Sequence, residues 1–227
     1  MTDSLQICSV DPQPDRAHGP HPRSPGQAPK RKPSQPFYLR FAFCAFFHFR
    51  RIFPDVPIMT DSPATRRWFQ ICSDPAFADR PERFEIDAAG ELIMSPPPGF
   101  DHRQRARAIA NLLDHLNAGE LGTVEQAILT CDGQVRIADV LLLTFAQKRW
   151  LILNPTSPLP AAPPVCVEIL SRSNTQAEID EKRALYFDAG ATEVWICNLD
   201  GTMSFFSGVH HQLSTSLLCP AFPQAIP

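Results

Sequence analysis

A mixed α/β layer, one central β-sheet flanked by helices, is the fold class this sequence predicts, and three observations carry that expectation. Its 227 residues with 44% hydrophobic content can bury one sizeable core. The periodic segments run helix, several β segments, a second helix and more β, an order that builds a sheet with helices packed on it. The 24 prolines crowd the first sixty residues, the segment 155–164 and the C-terminal end, where they mark non-core chain. The expected organisation is an extension over residues 1–58, a folded domain over 60–210 and a Pro-containing tail over 211–227.

Residues 11–36, DPQPDRAHGPHPRSPGQAPKRKPSQP, hold too little apolar surface to offset chain entropy and read as disordered and low in complexity. The next stretch, FYLRFAFCAFFHFRRIF, holds seven of the 16 phenylalanines. Arg40, His48, Arg50 and Arg51 within it argue against a spanning helix, and its distance from the N-terminus argues against a secretory signal. An interfacial helix is the remaining membrane reading. MTDS recurs at residues 1–4 and 59–62, followed each time by QICS, which makes Met59 a candidate functional start.

RFEIDAAGELIMS, residues 83–95, alternates around a Gly-containing turn at 88–90 and predicts a β-hairpin. Ala106, Ile109, Leu112, Leu113 and Leu116 recur at helical spacing and predict an amphipathic helix ending near Gly119. TVEQAIL and VRIADVLLLTF predict strands, a proline-rich loop follows, and VCVEIL predicts a short buried strand. Thr175 and Glu178 form a capping-box pattern opening a helix from about Gln176 to Ala189, closed by Gly190. TEVWICNL and TMSFF complete the sheet.

Residues 1–60 carry 8 Lys+Arg against 4 Asp+Glu, leaving 13 against 20 for residues 61–227. An acidic domain argues against a constitutive, nonspecific DNA coat, which needs a basic stripe, and is neutral on the substrate otherwise. Seven scattered cysteines without a C-x-x-C pair argue against a disulfide framework and a zinc ribbon, and for a reducing, cytoplasmic setting.

Glu168 lies between Val167 and Ile169 in an apolar strand. An unpaired carboxylate there costs several kcal/mol or takes up a proton, so a partner, a metal or a catalytic role is expected, against the alternative of a solvated strand end. Asp139 precedes the apolar run VLLL and admits the same two readings. Two acids on two core strands are the set that a hard divalent cation needs. Lys182 falls near the centre of the apolar arc formed by Ile179, Leu185, Tyr186 and Ala189; it either snorkels to water or meets a buried carboxylate. Arg183 and Asp188, outside that arc, read as solvated. Arg103, Arg105 and Arg107 read as solvated or as phosphate contacts, His210 and His211 as tail residues, and Cys166 as a small buried hydrophobe.

The run VEILSRSNTQAEIDEKRALYFDAGATEVWICNLDG, with VRIADV before it and FEIDAAGELIMSPPPGFDHR upstream, resembles the Uma family of restriction-endonuclease-like proteins, within the PD-(D/E)xK nuclease superfamily. The likeness spans roughly residues 68–206. It implies a restriction-endonuclease-like mixed central β-sheet flanked by helices. It also implies Asp139 as the first acid, Glu168 as the second, and Lys182 as a catalytic lysine moved from the usual position, here Leu170, to the following helix. His102 and Glu91 match positions near the family's pocket. Ala138 and Arg172 depart from it, each standing where a proline is expected.

The implied activity is Mg²⁺-dependent hydrolysis of phosphodiesters in nucleic acid, DNA ahead of RNA, with Mn²⁺ as the alternative metal. Asp139 and Glu168 would hold the ion, and Lys182 would orient water or stabilise the transition state. A homodimer would supply the two sites needed to cut a duplex, and no membrane span is expected. The competing reading is a non-catalytic binding or assembly module that keeps the nuclease fold.

Overall fold

The computed structural model describes residues 62–78, 80, 82–116 and 121–227. The expected extension over 1–58, its Phe-rich segment and the helix end at Gly119 lie outside the described residues. Ser62 caps α1 (Pro63–Ser73), accepting the Thr65 N–H at 3.0 Å, and Pro63 occupies the first turn, where its missing N–H costs nothing. The short α2 (Pro75–Ala78) leads into β1 (Arg83–Ile86) and β2 (Leu92–Ser95), which pair Ile86 with Leu92 around Gly90 at φ 89°. The predicted hairpin is therefore present, with its turn where expected.

The amphipathic helix is α3 (Phe100–Leu116), and β3 (Leu121–Leu129) and β4 (Val135–Leu143) follow as an antiparallel pair. The segment after β4, expected to be loop, begins with α4 (Phe145–Leu153). Its signal was readable: Thr144 and Gln147 form a capping box at the helix start. Next come β5 (Val165–Ile169), α5 (Gln176–Asp188), β6 (Glu193–Cys197), β7 (Met203–Gly208) and β8 (His211–Leu213). Thr175 and Glu178 make the predicted capping box of α5, and Gly190 ends the turn after it at φ 105°.

All eight strands join one mixed, mostly antiparallel sheet in the order β2-β1-β4-β5-β6-β7-β8, with β3 also on β4. Side-chain alternation divides the core. Val165 and Val167 face α3, packing with Ile109 and Leu113, whereas Cys166 faces α5, packing with Ile179 and Tyr186. A third cluster joins α1 to the hairpin through Ala64, Ile71 and Ile86. Among the described residues, no helix is long and apolar enough to cross a membrane.

Two expectations fail for the same reason, a polar or proline-rich sequence recruited by tertiary packing. Residues 211–227 are not a loose tail: His211 enters β8, and Cys219, Phe222 and Ile226 are buried in the α3-side core. The Glu193 carboxylate anchors this segment, accepting the Leu217 and Leu218 N–H groups at 2.7 and 2.9 Å and the Trp195 indole at 2.7 Å. Arg183, expected in solvent, is buried; its guanidinium lies 4.3 Å from the Phe206 ring centroid and donates to the Val209 carbonyl at 2.9 Å.

Candidate active site

Strand β4 has two edges, and β3 runs along one of them from Val135 to Leu143, with a single break at Asp139. On the other edge β1 pairs only at Val135, and β5 pairs only from Val140 to Leu142. The sheet therefore forks between Val135 and Val140. Continuing the β5 register by one step sets Glu168 opposite Asp139, so side chains in this pair share a face. On the β3 side the ladder also lapses there: Glu125, opposite Asp139, has φ 53°, a conformation uncommon for a residue with a Cβ. Asp139 thus sits mid-strand, where backbone pairing gives way on both sides.

Side chains take up the polar groups that the fork releases. The Ile137 N–H donates to Glu85 Oε1 at 3.0 Å, the Ile137 carbonyl accepts Lys182 Nζ at 3.4 Å, and the Ile169 N–H donates to Asp139 Oδ2 at 2.7 Å. Buried backbone groups need such partners, so the opening in the sheet and the charged cluster are one feature.

Asp139 is 2% exposed, which rules out the solvated strand-end reading. Arg83 Nη1 lies 2.5 Å from its Oδ1, and His102 Nε2, in the first turn of α3, lies 3.2 Å from its Oδ2. Burial alone would raise the Asp139 pKa, but the His102 hydrogen bond and the Arg83 charge outweigh it and bring the carboxyl to about 2.

Glu168 has weaker compensation. Tyr186 donates to its Oε1 at 2.6 Å and Lys182 Nζ stands 3.3 Å from its Oε2. Burial pushes its pKa up to about 7, opposed by Lys182 and reinforced by the Asp139 charge. Ile179, Lys182 and Tyr186 recur at three- and four-residue spacing along one stripe of α5, which is how one helix delivers both partners.

Lys182 does not snorkel free. Its ammonium is nearer to Glu85 Oε1, at 2.8 Å, than to Glu168. Burial opposes its charge, yet Glu168, Glu85 and Asp139 hold it protonated. Arg136 secures Glu85 in turn, 3.1 Å from Oε2, and the Lys182 charge keeps Glu85 ionised despite its burial.

A cleft of about 330 Å³ opens on this cluster, lined by Arg83, Glu85, His102, Asp139, Glu168 and Lys182 among others. Asp139, Glu168, Lys182 and His102, singled out from sequence, thus converge. Glu91 does not: it is exposed beside the hairpin turn, outside the cleft lining. Arg83, Glu85 and Arg136 escaped the sequence reading. Glu85 lies between Phe84 and Ile86, the same acid-between-apolar-residues signal that singled out Glu168. Arg103 donates to the Pro98 carbonyl and Arg105 to the Asn198 and Leu199 carbonyls. Cys166 is buried beside Glu168, its thiol pushed up by burial, as expected of a small buried hydrophobe.

The donor set accommodates a divalent cation. A carboxylate offers about four lone-pair sites. Asp139 accepts three hydrogen bonds and Glu168 two, leaving acceptor capacity on both. Among the described residues no group of three or more His, Cys, Asp or Glu is placed to cage a metal ion by itself. Mg²⁺ needs no such cage, since one or two carboxylates and several waters suffice. A second positive charge would also relieve the crowding that raises Glu168.

The forked mixed sheet thus carries a buried Asp–Glu pair with an inward lysine at its opening. The family described as "Putative restriction endonuclease", Uma2, matches residues 68–214, well over half of the chain, and the chain belongs to that family. Its fold is similar to that in the crystal structure of "a putative nuclease belonging to DUF820" from Anabaena variabilis ATCC 29413, with a TM-score of 0.50 and 13% identity over 66% of this chain and 92% of that one. No curated protein matches the sequence.

Proposed function

We propose that this protein is an endonuclease that hydrolyses phosphodiesters of nucleic acid, DNA in the first instance, with Mg²⁺ as cofactor and Mn²⁺ as a substitute. The observation that carries the reading is the convergence of Asp139, Glu168 and Lys182 on one cleft. Asp139 and Glu168 would hold the ion, which when bound supplies charge neutralisation and a more acidic water. Lys182, kept protonated by two carboxylates, acts as a fixed cation toward charge developing on the phosphoryl oxygens rather than as a base. Glu85 and Tyr186 keep Lys182 and Glu168 in place. Two copies of the chain would provide one site per strand of a duplex.

One observation favours the competing non-catalytic reading: Arg83 and His102 already hold Asp139. Titration calorimetry with Mg²⁺ and Mn²⁺ decides between them. The nuclease reading expects binding that is lost in Glu168→Gln; absence of binding to the unaltered protein would count against it.

A further inference from the structure

A second cavity, of about 520 Å³, adjoins the candidate cleft and shares Gly99, His102, Ile169 and Ser171 with it. Its character differs. Phe100, the first residue of α3, is 67% exposed, and Leu199 across the cavity is 53% exposed. Two large, exposed apolar side chains on one cavity leave an apolar surface beside a charged site. The wall is held firmly: Arg105 donates to the carbonyls of Asn198 and Leu199 at 3.2 and 2.9 Å, tying the β6–β7 turn to α3. Helix α3 fixes the Phe100 backbone at the edge of the cavity.

The rim adds charge. Arg172 is exposed, lines this cavity and makes no hydrogen bond or ion pair with the described residues. It stands in the β5–α5 loop, where it extends the positive character of Arg105, against a single carboxylate on the lining, Asp101. An exposed aromatic face, an apolar wall and an unengaged guanidinium, next to a site for a phosphodiester, match the parts of one nucleotide: base, sugar and phosphate.

We propose that this cavity binds the nucleotide flanking the scissile phosphate, its base stacked on Phe100 and its outer phosphate on Arg172. The nucleotide taken up here is therefore single-stranded or locally unpaired. A base within a duplex already has both faces covered, so Phe100 is reached only by an unstacked one. The inference rests on the nucleic-acid reading of the adjoining cleft.

Fluorescence anisotropy of the full chain with a labelled single-stranded oligonucleotide and its duplex, in the presence of a chelator, tests it. The single strand should bind more tightly than the duplex. Phe100→Ala should weaken single-strand binding about tenfold, and Phe100→Trp should retain it. Arg172→Ala should lower the salt dependence by about 0.7 in slope. Equal affinity for the two forms, or no loss in Phe100→Ala with its fold intact by circular dichroism, would overturn the proposal. The two readings part experimentally. Phe100-dependent binding without cleavage in Mg²⁺ keeps the subsite and removes the nuclease activity, whereas cleavage indifferent to Phe100 does the reverse.

Discussion

At the scale of single residues, the site balances three buried carboxylates, Glu85, Asp139 and Glu168, against Arg83, Arg136 and Lys182. Removing one partner leaves the other charge uncompensated, and for a buried pair that costs about 3–5 kcal/mol. Tyr186→Phe deletes only the 2.6 Å hydrogen bond to Glu168 and should lower stability by about 1–3 kcal/mol, read from urea unfolding. The raised Glu168 pKa gives a pH dependence of definite sign. Between the ordinary value of 4.5 and about 7 the folded state holds a proton that the unfolded chain releases, so this group's contribution to stability falls as pH rises through that window. Asp139, brought down to about 2, contributes in the opposite sense: its stabilisation is present above the ordinary value of 3.8 and is lost as pH falls toward 2. Urea midpoints of the metal-free protein should decline from pH 4.5 to 7, and Glu168→Gln should flatten that decline. Glu168 and Lys182 were legible because each breaks an apolar pattern. Glu91 rested on the family resemblance alone, and Glu85, which no reading singled out, is the hairpin carboxylate that faces the fork.

At the scale of elements, the site exists because β4 changes partners. Strand periodicity made the individual strands legible, but the fork depends on which strand pairs with which over how many residues, and no local pattern encodes that. The helices α4 and α1 had local signals that went unread: the cap of α4 follows directly on an unbroken apolar run, and that of α1 is confined to Ser62 and Pro63. The closeness of α3 to β3 is set by Gly122, where an added Cβ would lie 2.3 Å from the Ala110 carbonyl oxygen. Gly122→Ala must push α3 and β3 apart and should cost about 1–3 kcal/mol, visible as a lowered urea midpoint. An unchanged midpoint would mean that the helix is not seated against the strand as described. Since α3 also carries His102 and Phe100, the same substitution should weaken nucleic-acid binding.

At the scale of the whole molecule, the resemblance read from the strand–helix–strand block foresaw the fold, while the C-terminal segment was misjudged because its prolines mask three core residues. Cys219, Phe222 and Ile226 are each at most 3% exposed, and Phe222 packs 4.6 Å from the Trp195 ring centroid. Phe222→Ala should cost about 3–5 kcal/mol, checked by thermal or urea unfolding; a surface-like change below about 0.5 kcal/mol would contradict the packing. The acidic balance of residues 61–227 argues against a nonspecific DNA coat by this part of the chain, so the proposed contact with nucleic acid is expected to be local, at the cleft and its rim. The central claim is that Asp139, Glu168 and Lys182 form a metal-dependent cutting site. Its most direct test is cleavage of single-stranded and supercoiled DNA by the full chain in Mg²⁺, beside Glu168→Gln and Lys182→Ala variants shown to be folded. The account predicts cleavage that requires Mg²⁺ or Mn²⁺ and falls by orders of magnitude in both variants; metal-dependent cleavage retained in full by both would contradict it.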